Sequence, residues 1–182
     1  MVSRVDMVDP KWTIAELNAL NQEEFARRLG FLFEGSPWIA DEVWSAQPFT
    51  NRADLHQECC AVVQRAPLEA KVALISSHPD LVGRAALAGT LTRESTAEQA
   101  AAGLDPNQLS PDEIAAFTTL NAMYRDKFGF PFVICARENK KATILAGLQS
   151  RLDNERGVEI ATALKEIEKI CLYRLTDVVE EG

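Results

Sequence analysis

The feature that most constrains this chain is a helical rhythm interrupted once. From Thr13 to about Leu175 the apolar residues recur at three- and four-residue spacing, the period of helices with one buried face. The segment Gly129-Phe130-Pro131-Phe132-Val133-Ile134-Cys135-Ala136 departs from it, with two aromatics, a proline and two β-branched residues that favour extended backbone. No second strand is evident to pair with it. The pattern therefore predicts an all-α fold, a single compact multi-helix domain with one short buried extended segment near residues 130–136. The main chain of that segment needs partners outside a sheet, and a ligand is one candidate.

Capping residues divide the helical part. Thr13 with Glu16 forms a capping box ahead of Leu17 and Leu20. Asn21 caps a helix over 22–33, in which Gly30 marks close contact or an early end. Ser36-Pro37 reads as a cap followed by proline at the first helical position. A helix is expected over 51–65, and Pro67 opens a helix that stops near Ser77, because proline disfavours helical backbone in the residue before it. Residues 84–89 fit a short helix or a tight loop. Ser95 opens a short helix closed by Gly103, Ser110-Pro111 opens a long one through Phe128, and helices resume near Lys140 and after Asn154. Residues 1–12 read as a loosely attached arm, 13–177 as the domain and 178–182 as an acidic tail.

The net charge of −8, from 19 Lys and Arg against 27 Asp and Glu, disfavours non-specific binding to nucleic acid or to an anionic membrane. No apolar run approaches the ~20 residues of a membrane span. The first ten residues have no signal-peptide core, and the terminal Val179-Glu180-Glu181-Gly182 is no peroxisomal address, so a cytoplasmic protein is expected. Cys59, Cys60, Cys135 and Cys171 sit in apolar runs without metal-ligand spacing and read as reduced core residues. His56 beside Cys59 and Cys60 is a poor zinc site. No metal is expected.

The residues that bear chemistry cluster in two stretches. In Ser76-Ser77-His78-Pro79-Asp80-Leu81 an extended histidine at a helix end is free to point into a cleft. In Ser95-Thr96-Ala97-Glu98-Gln99 a carboxylate lies beside an amide. Together they supply an acid–base group, a charge to bias it and a hydrogen-bonding handle. Bland readings stand beside these: His78 as a helix terminator, Ser95-x-x-Glu98 as a capping box, Asp80 as a cap, and Arg174 as a cation at a helix C-terminus. Trp38 and Trp44 read as core, Lys140-Lys141 and Glu166-x-Glu168 as solvated faces.

The strings Phe33-Glu34-x-Ser36-Pro37-Trp38, Ser77-His78-Pro79-Asp80-Leu81, Ser95-x-x-Glu98-Gln99, Asn121-x-x-Tyr124-x-x-Lys127-Phe128-Gly129-Phe130-Pro131-Phe132, Arg151-Leu152 and Arg174-Leu175 occur in this order. The chain resembles, over roughly residues 13–177, the 2-oxo-4-hydroxy-4-carboxy-5-ureidoimidazoline (OHCU) decarboxylases of urate degradation. The resemblance implies an all-helical carboxy-lyase without cofactor, often a homodimer, that forms (S)-allantoin and carbon dioxide after 5-hydroxyisourate hydrolysis. It implies His78 as proton donor with Glu98 as its catalytic companion. Substrate-contacting positions would be Pro79, Ser95, Thr96, Ala97, Glu98, Gln99, Phe132, Val133, Ile134, Cys135 and Ala136, with Arg174 nearby. Two other readings remain open on the residues alone: a helical binding or interaction module without turnover, and a hydrolase acting on a related ureide.

Overall fold

Residues 10–182 are described in a computed structural model of the chain, and residues 1–9, most of the expected arm, lie outside them. Among the described residues ten α-helices form and no strand does; one isolated parallel bridge joins Trp12 to Val179. No helix among these residues is long and apolar enough to cross a membrane.

The local signals act largely as written. Thr13 and Glu16 close the capping box of α1 (Ile14–Asn18), and Asn21 caps α2 (Gln22–Leu29). The second helix is shorter than its apolar stripe suggests. It ends at Gly30 and tightens into a 3-10 turn, Gly30–Leu32, against Pro37. The expected Ser36 cap does not form: α3 (Trp38–Trp44) has no side-chain cap, and Ile39 N–H bonds the Ser36 carbonyl instead. Asn51 caps α4 (Arg52–Arg65), and α5 (Leu68–Ser77) follows Pro67. The 84–89 region holds a single turn, α6 (Arg84–Leu87), before α7 (Arg93–Ala101). Ser110 and Glu113 complete a capping box on α8 (Pro111–Phe128), which Gly129 ends in left-handed backbone at φ 80°.

The remaining helices, α9 (Lys141–Arg151) and α10 (Arg156–Val178), build around the extended segment. Helix α10 buries Ile160, Ala163, Ile167, Ile170, Cys171, Arg174 and Leu175 on one face and packs on α4 and α5. Residues 130–135 cross the core without a partner strand, and side chains take over the ladder's role. Arg151 Nη1 donates to the Val133 carbonyl at 2.8 Å, and Glu166 Oε2 accepts the Cys135 N–H at 2.8 Å. Asn139 Nδ2 donates to the Cys135 carbonyl at 2.9 Å. Glu166 is thus a supporting residue, not part of a solvated face. Phe130 and Phe132 are fully buried against Tyr124, whose ring meets Phe132 edge-on at 5.4 Å.

Beneath the segment lies a buried carboxylate. Glu159 accepts from Tyr124 Oη, from Arg151 Nε and, at 2.8 Å, from Asn154 Nδ2. The four cysteines are free; three are buried and Cys60 is half-buried beside His56. Burial comes first in pushing the Cys60 thiol up to about 12, so it is inert at neutral pH.

Candidate active site

Helix α5 ends where His78-Pro79 requires. His78 has extended backbone (φ −70°, ψ 138°), and its N–H still reaches the Ile75 carbonyl at 3.2 Å. The preceding residue anchors this end, since the single Ser77 Oγ–H is shared between the carbonyls of Leu74 and Glu34. Gly35 makes that approach possible. Its φ is +59°, and a Cβ there would stand 2.9 Å from Ser77 Cβ.

On the facing wall, α7 starts three residues before the expected point. Thr92, not Ser95, is its cap and accepts the Ser95 N–H at 3.2 Å. Ser95 therefore sits in the first turn and Glu98 in the second, so the capping-box reading of Glu98 fails. Helical geometry then divides the run 95–99. Ser95, Glu98 and Gln99 share a face and line a cleft with His78, Pro79, Phe132, Val133, Ile134 and Ala136. Thr96 and Ala97, expected contacts, are exposed on the other side of the helix. Cys135 and Arg174 are buried behind the lining, and Leu81 and Ile170, which carried no chemical signal, belong to it.

His78 is 6 % exposed, and its Nε2 is buried with no hydrogen-bond partner. An orphaned buried nitrogen in a cleft wall demands a reason, and a reacting group is one. Burial first, and the Arg174 charge second, push its pKa down to about 3, so the imidazole is neutral at working pH. Glu98 is committed elsewhere: Arg174 Nε and Nη2 donate to its two oxygens at 2.8 and 3.0 Å. Arg174, 2 % exposed, also donates through Nη1 to the Phe31 carbonyl at 2.9 Å and to Glu34 at 3.2 Å. It is no mere helix-end cation. Burial works against its charge, but Glu98 and Glu34 outweigh burial and its pKa rises. Glu34 in turn accepts from Thr92 Oγ1 and Ser95 Oγ, tying the cap of α7 to the same cluster. Asp80 is also not a cap; it pairs with Arg125 of α8 at 2.9 Å.

The cleft has about 30 Å³ of free volume, room for a water or two. No group of three or more His, Cys, Asp or Glu among the described residues is arranged to hold a metal ion.

A family model described as OHCU decarboxylase matches residues 18–176. The chain belongs to the OHCU decarboxylase family. A protein of Amia calva named 2-oxo-4-hydroxy-4-carboxy-5-ureidoimidazoline decarboxylase is 41% identical over 165 residues, 91% of this chain and 93% of that one. The Xenopus laevis protein of the same name is 40% identical over 161 residues, 88% of this chain and 91% of its own. A crystal structure of an (S)-allantoin synthase superposes with a TM-score of 0.74 at 26% identity; it covers 92% of this chain, which spans about half (54%) of that longer one. A second solved structure, an OHCU decarboxylase in the presence of (S)-allantoin, shares the fold at 23% identity and a TM-score of 0.63, over 78% of this chain and 90% of that chain.

Proposed function

We propose that this OHCU decarboxylase family member converts 2-oxo-4-hydroxy-4-carboxy-5-ureidoimidazoline to (S)-allantoin and carbon dioxide, and that His78 delivers the proton that sets the product's hand. The observation that carries the assignment of His78 is its buried, unpartnered Nε2 in a cleft lined by Glu98, Gln99, Phe132, Val133, Ile134 and Ala136.

When the bond from C4 to the carboxylate breaks, its electron pair forms a C4=C5 double bond, and the C5=N pair moves onto nitrogen, which takes up a proton from solvent. The substrate supplies its own electron sink, so the route calls for no cofactor. The intermediate, an enol at C4, then becomes allantoin by losing the hydroxyl proton and gaining one at C5. A neutral imidazole suits this second step: it accepts the hydroxyl proton and hands it to C5 on one face. The substrate carboxylate raises the pKa of His78 in the complex, but a single opposite charge moves a pKa by roughly 1–3 units. Starting from about 3, the ring stays largely neutral at pH 7. Glu98, placed by Arg174, orients substrate N–H groups, and Gln99 offers a hydrogen bond to the charge that develops on the ring.

Spontaneous decay of the substrate gives racemic allantoin, so product chirality is the test. Freshly generated ureidoimidazoline with the enzyme should release carbon dioxide stoichiometrically and give optically active (S)-allantoin by circular dichroism. Racemic product at the uncatalysed rate would favour a binding module, and a ureide hydrolase would release no carbon dioxide. A cytoplasmic homodimer completes the proposal, with the mass from light scattering at micromolar concentration deciding assembly.

A further inference from the structure

Between the cleft and α8 runs the tight turn 80–83, and its central peptide is gripped from both sides. Asn121 Nδ2 of α8 donates to the Leu81 carbonyl at 2.8 Å. On the other side of the same peptide, the Val82 N–H donates to Gln99 Oε1 at 3.0 Å. All four residues are at least nine-tenths buried. Val82 holds φ 52°, left-handed backbone that a β-branched residue adopts only under constraint.

Beside the turn lies an open groove of about 590 Å³ whose lining includes Pro79, Asp80, Val82, Gly83, Asn121 and Arg125. The turn is kept in place by α8, through Asn121 and, one helical turn along, the Arg125–Asp80 ion pair. Asn121 makes this bond although its Oδ1 is left buried without a partner. The amide cannot be reversed to relieve that, because Oδ1 would then face the Leu81 carbonyl oxygen.

Resting on the proposed function, we infer that Asn121 is a positioning residue for the decarboxylation. Through the Leu81–Val82 peptide it fixes the Gln99 side chain so that its NH₂, not its oxygen, faces the substrate. A side-chain amide presents either an acceptor or a donor, and its two ends are nearly the same in size and shape. Only the hydrogen bond at the far end decides which one the ligand meets. With Oε1 taken by Val82 N–H, Gln99 has its NH₂ for the cleft. An N–H donor suits an acceptor on the ring that gains negative charge as carbon dioxide leaves; an oxygen there would repel it. Loosening the turn would let the amide turn over and spoil a share of encounters.

The test is a double-mutant cycle with Asn121→Leu, Asn121→Ser and Gln99→Ala, read by the circular dichroism of the allantoin formed. Each Asn121 variant alone should lower kcat/KM about 10-fold, mostly in kcat, since the interaction strengthens as charge develops. In the Gln99→Ala background the same substitutions should cost less than about 2-fold, because the group they position is gone. Hydrogen exchange at the Val82 amide, slow in the wild type, should speed up in both Asn121 variants whether or not they turn over. If Leu does not fold, Ser keeps the cycle, being smaller and still polar. Wild-type turnover with equal, additive losses in both backgrounds overturns the positioning role and leaves the proposed function standing. No turnover by the wild type overturns the proposed function itself, while the Val82 exchange still reports on the tether.

Discussion

Two buried carboxylate clusters occupy this small domain, and they do opposite jobs. Glu159, fully buried, has donors on both oxygens from Tyr124, Arg151 and Asn154, and the same Arg151 holds the Val133 carbonyl. Glu98 also has both oxygens met, by Arg174, yet it lies in the wall of a cleft opposite an imidazole with nothing to bond. The first cluster is closed and stands in for the missing strand under the extended segment. The second is closed on the protein side and open toward the cleft. A buried charge by itself therefore does not mark a reactive site; an orphaned polar atom next to free volume does.

The largest expected effect separates the clusters through His78. His78→Asn should fold yet lose about 100- to 10,000-fold in kcat, with the remaining allantoin racemic. Optically pure product at near wild-type rate would move the proton-transfer role away from His78.

Next, Glu159→Gln and Glu98→Gln form a pair of matched substitutions. Removing the Glu159 charge leaves Arg151 poorly compensated in the interior, a loss of about 3–5 kcal/mol and roughly 10 °C in Tm. The folded fraction should keep near wild-type kcat. Glu98→Gln leaves Glu34 and the Phe31 carbonyl on Arg174, so stability should fall less, by about 1–3 kcal/mol. Turnover should drop at least about 10-fold. Equal kcat losses in the two variants would erase the distinction between support and site.

The smallest effects are in pH dependence. Burial and Arg174 hold the pKa of His78 below its unfolded value of about 6.5. Protons therefore bind the unfolded chain more readily. The stability that comes from a neutral, buried His78 is complete above about 6.5 and is lost as pH falls toward about 3. Wild-type Tm should decline more steeply between roughly pH 6.5 and 4.5 than that of His78→Asn. The profile of kcat/KM, which reports the free enzyme, should show no inflection near 6.5. An inflection there that vanishes in His78→Asn would mean an imidazole in contact with water.

Much of the fold is legible because its signals are local. The capping box at Thr13, the Ser110 cap with its first-position proline and the stop before Pro79 each act within about four residues, and all appear as read. The misreadings share one cause. Thr92-x-x-Ser95 and Ser95-x-x-Glu98 are both plausible helix starts, and the first prevails with Thr92 Oγ1 also bonded to Glu34, 58 residues away. Glu166 has the spacing of a solvated face but meets the Cys135 N–H, 31 residues distant, which has no strand partner. Thr96 and Ala97 fall outside the cleft because a motif is continuous along the chain whereas a helix face is not.

What the sequence alone determined is which segments are helical, where most of them stop, and that His78 leaves a helix end in extended backbone. Those outcomes depend on periodicity, caps and proline sterics, whose range is one or two turns. Only the tertiary structure decided what charge state His78 has and whom Glu98 serves. Arg174 meets Glu98 across 76 residues and Glu34 across 140, and the loss of water around an imidazole depends on every element that packs over it. Neither long-range pairing nor desolvation is a property of any short stretch of chain, so neither could be read before the helices were in place.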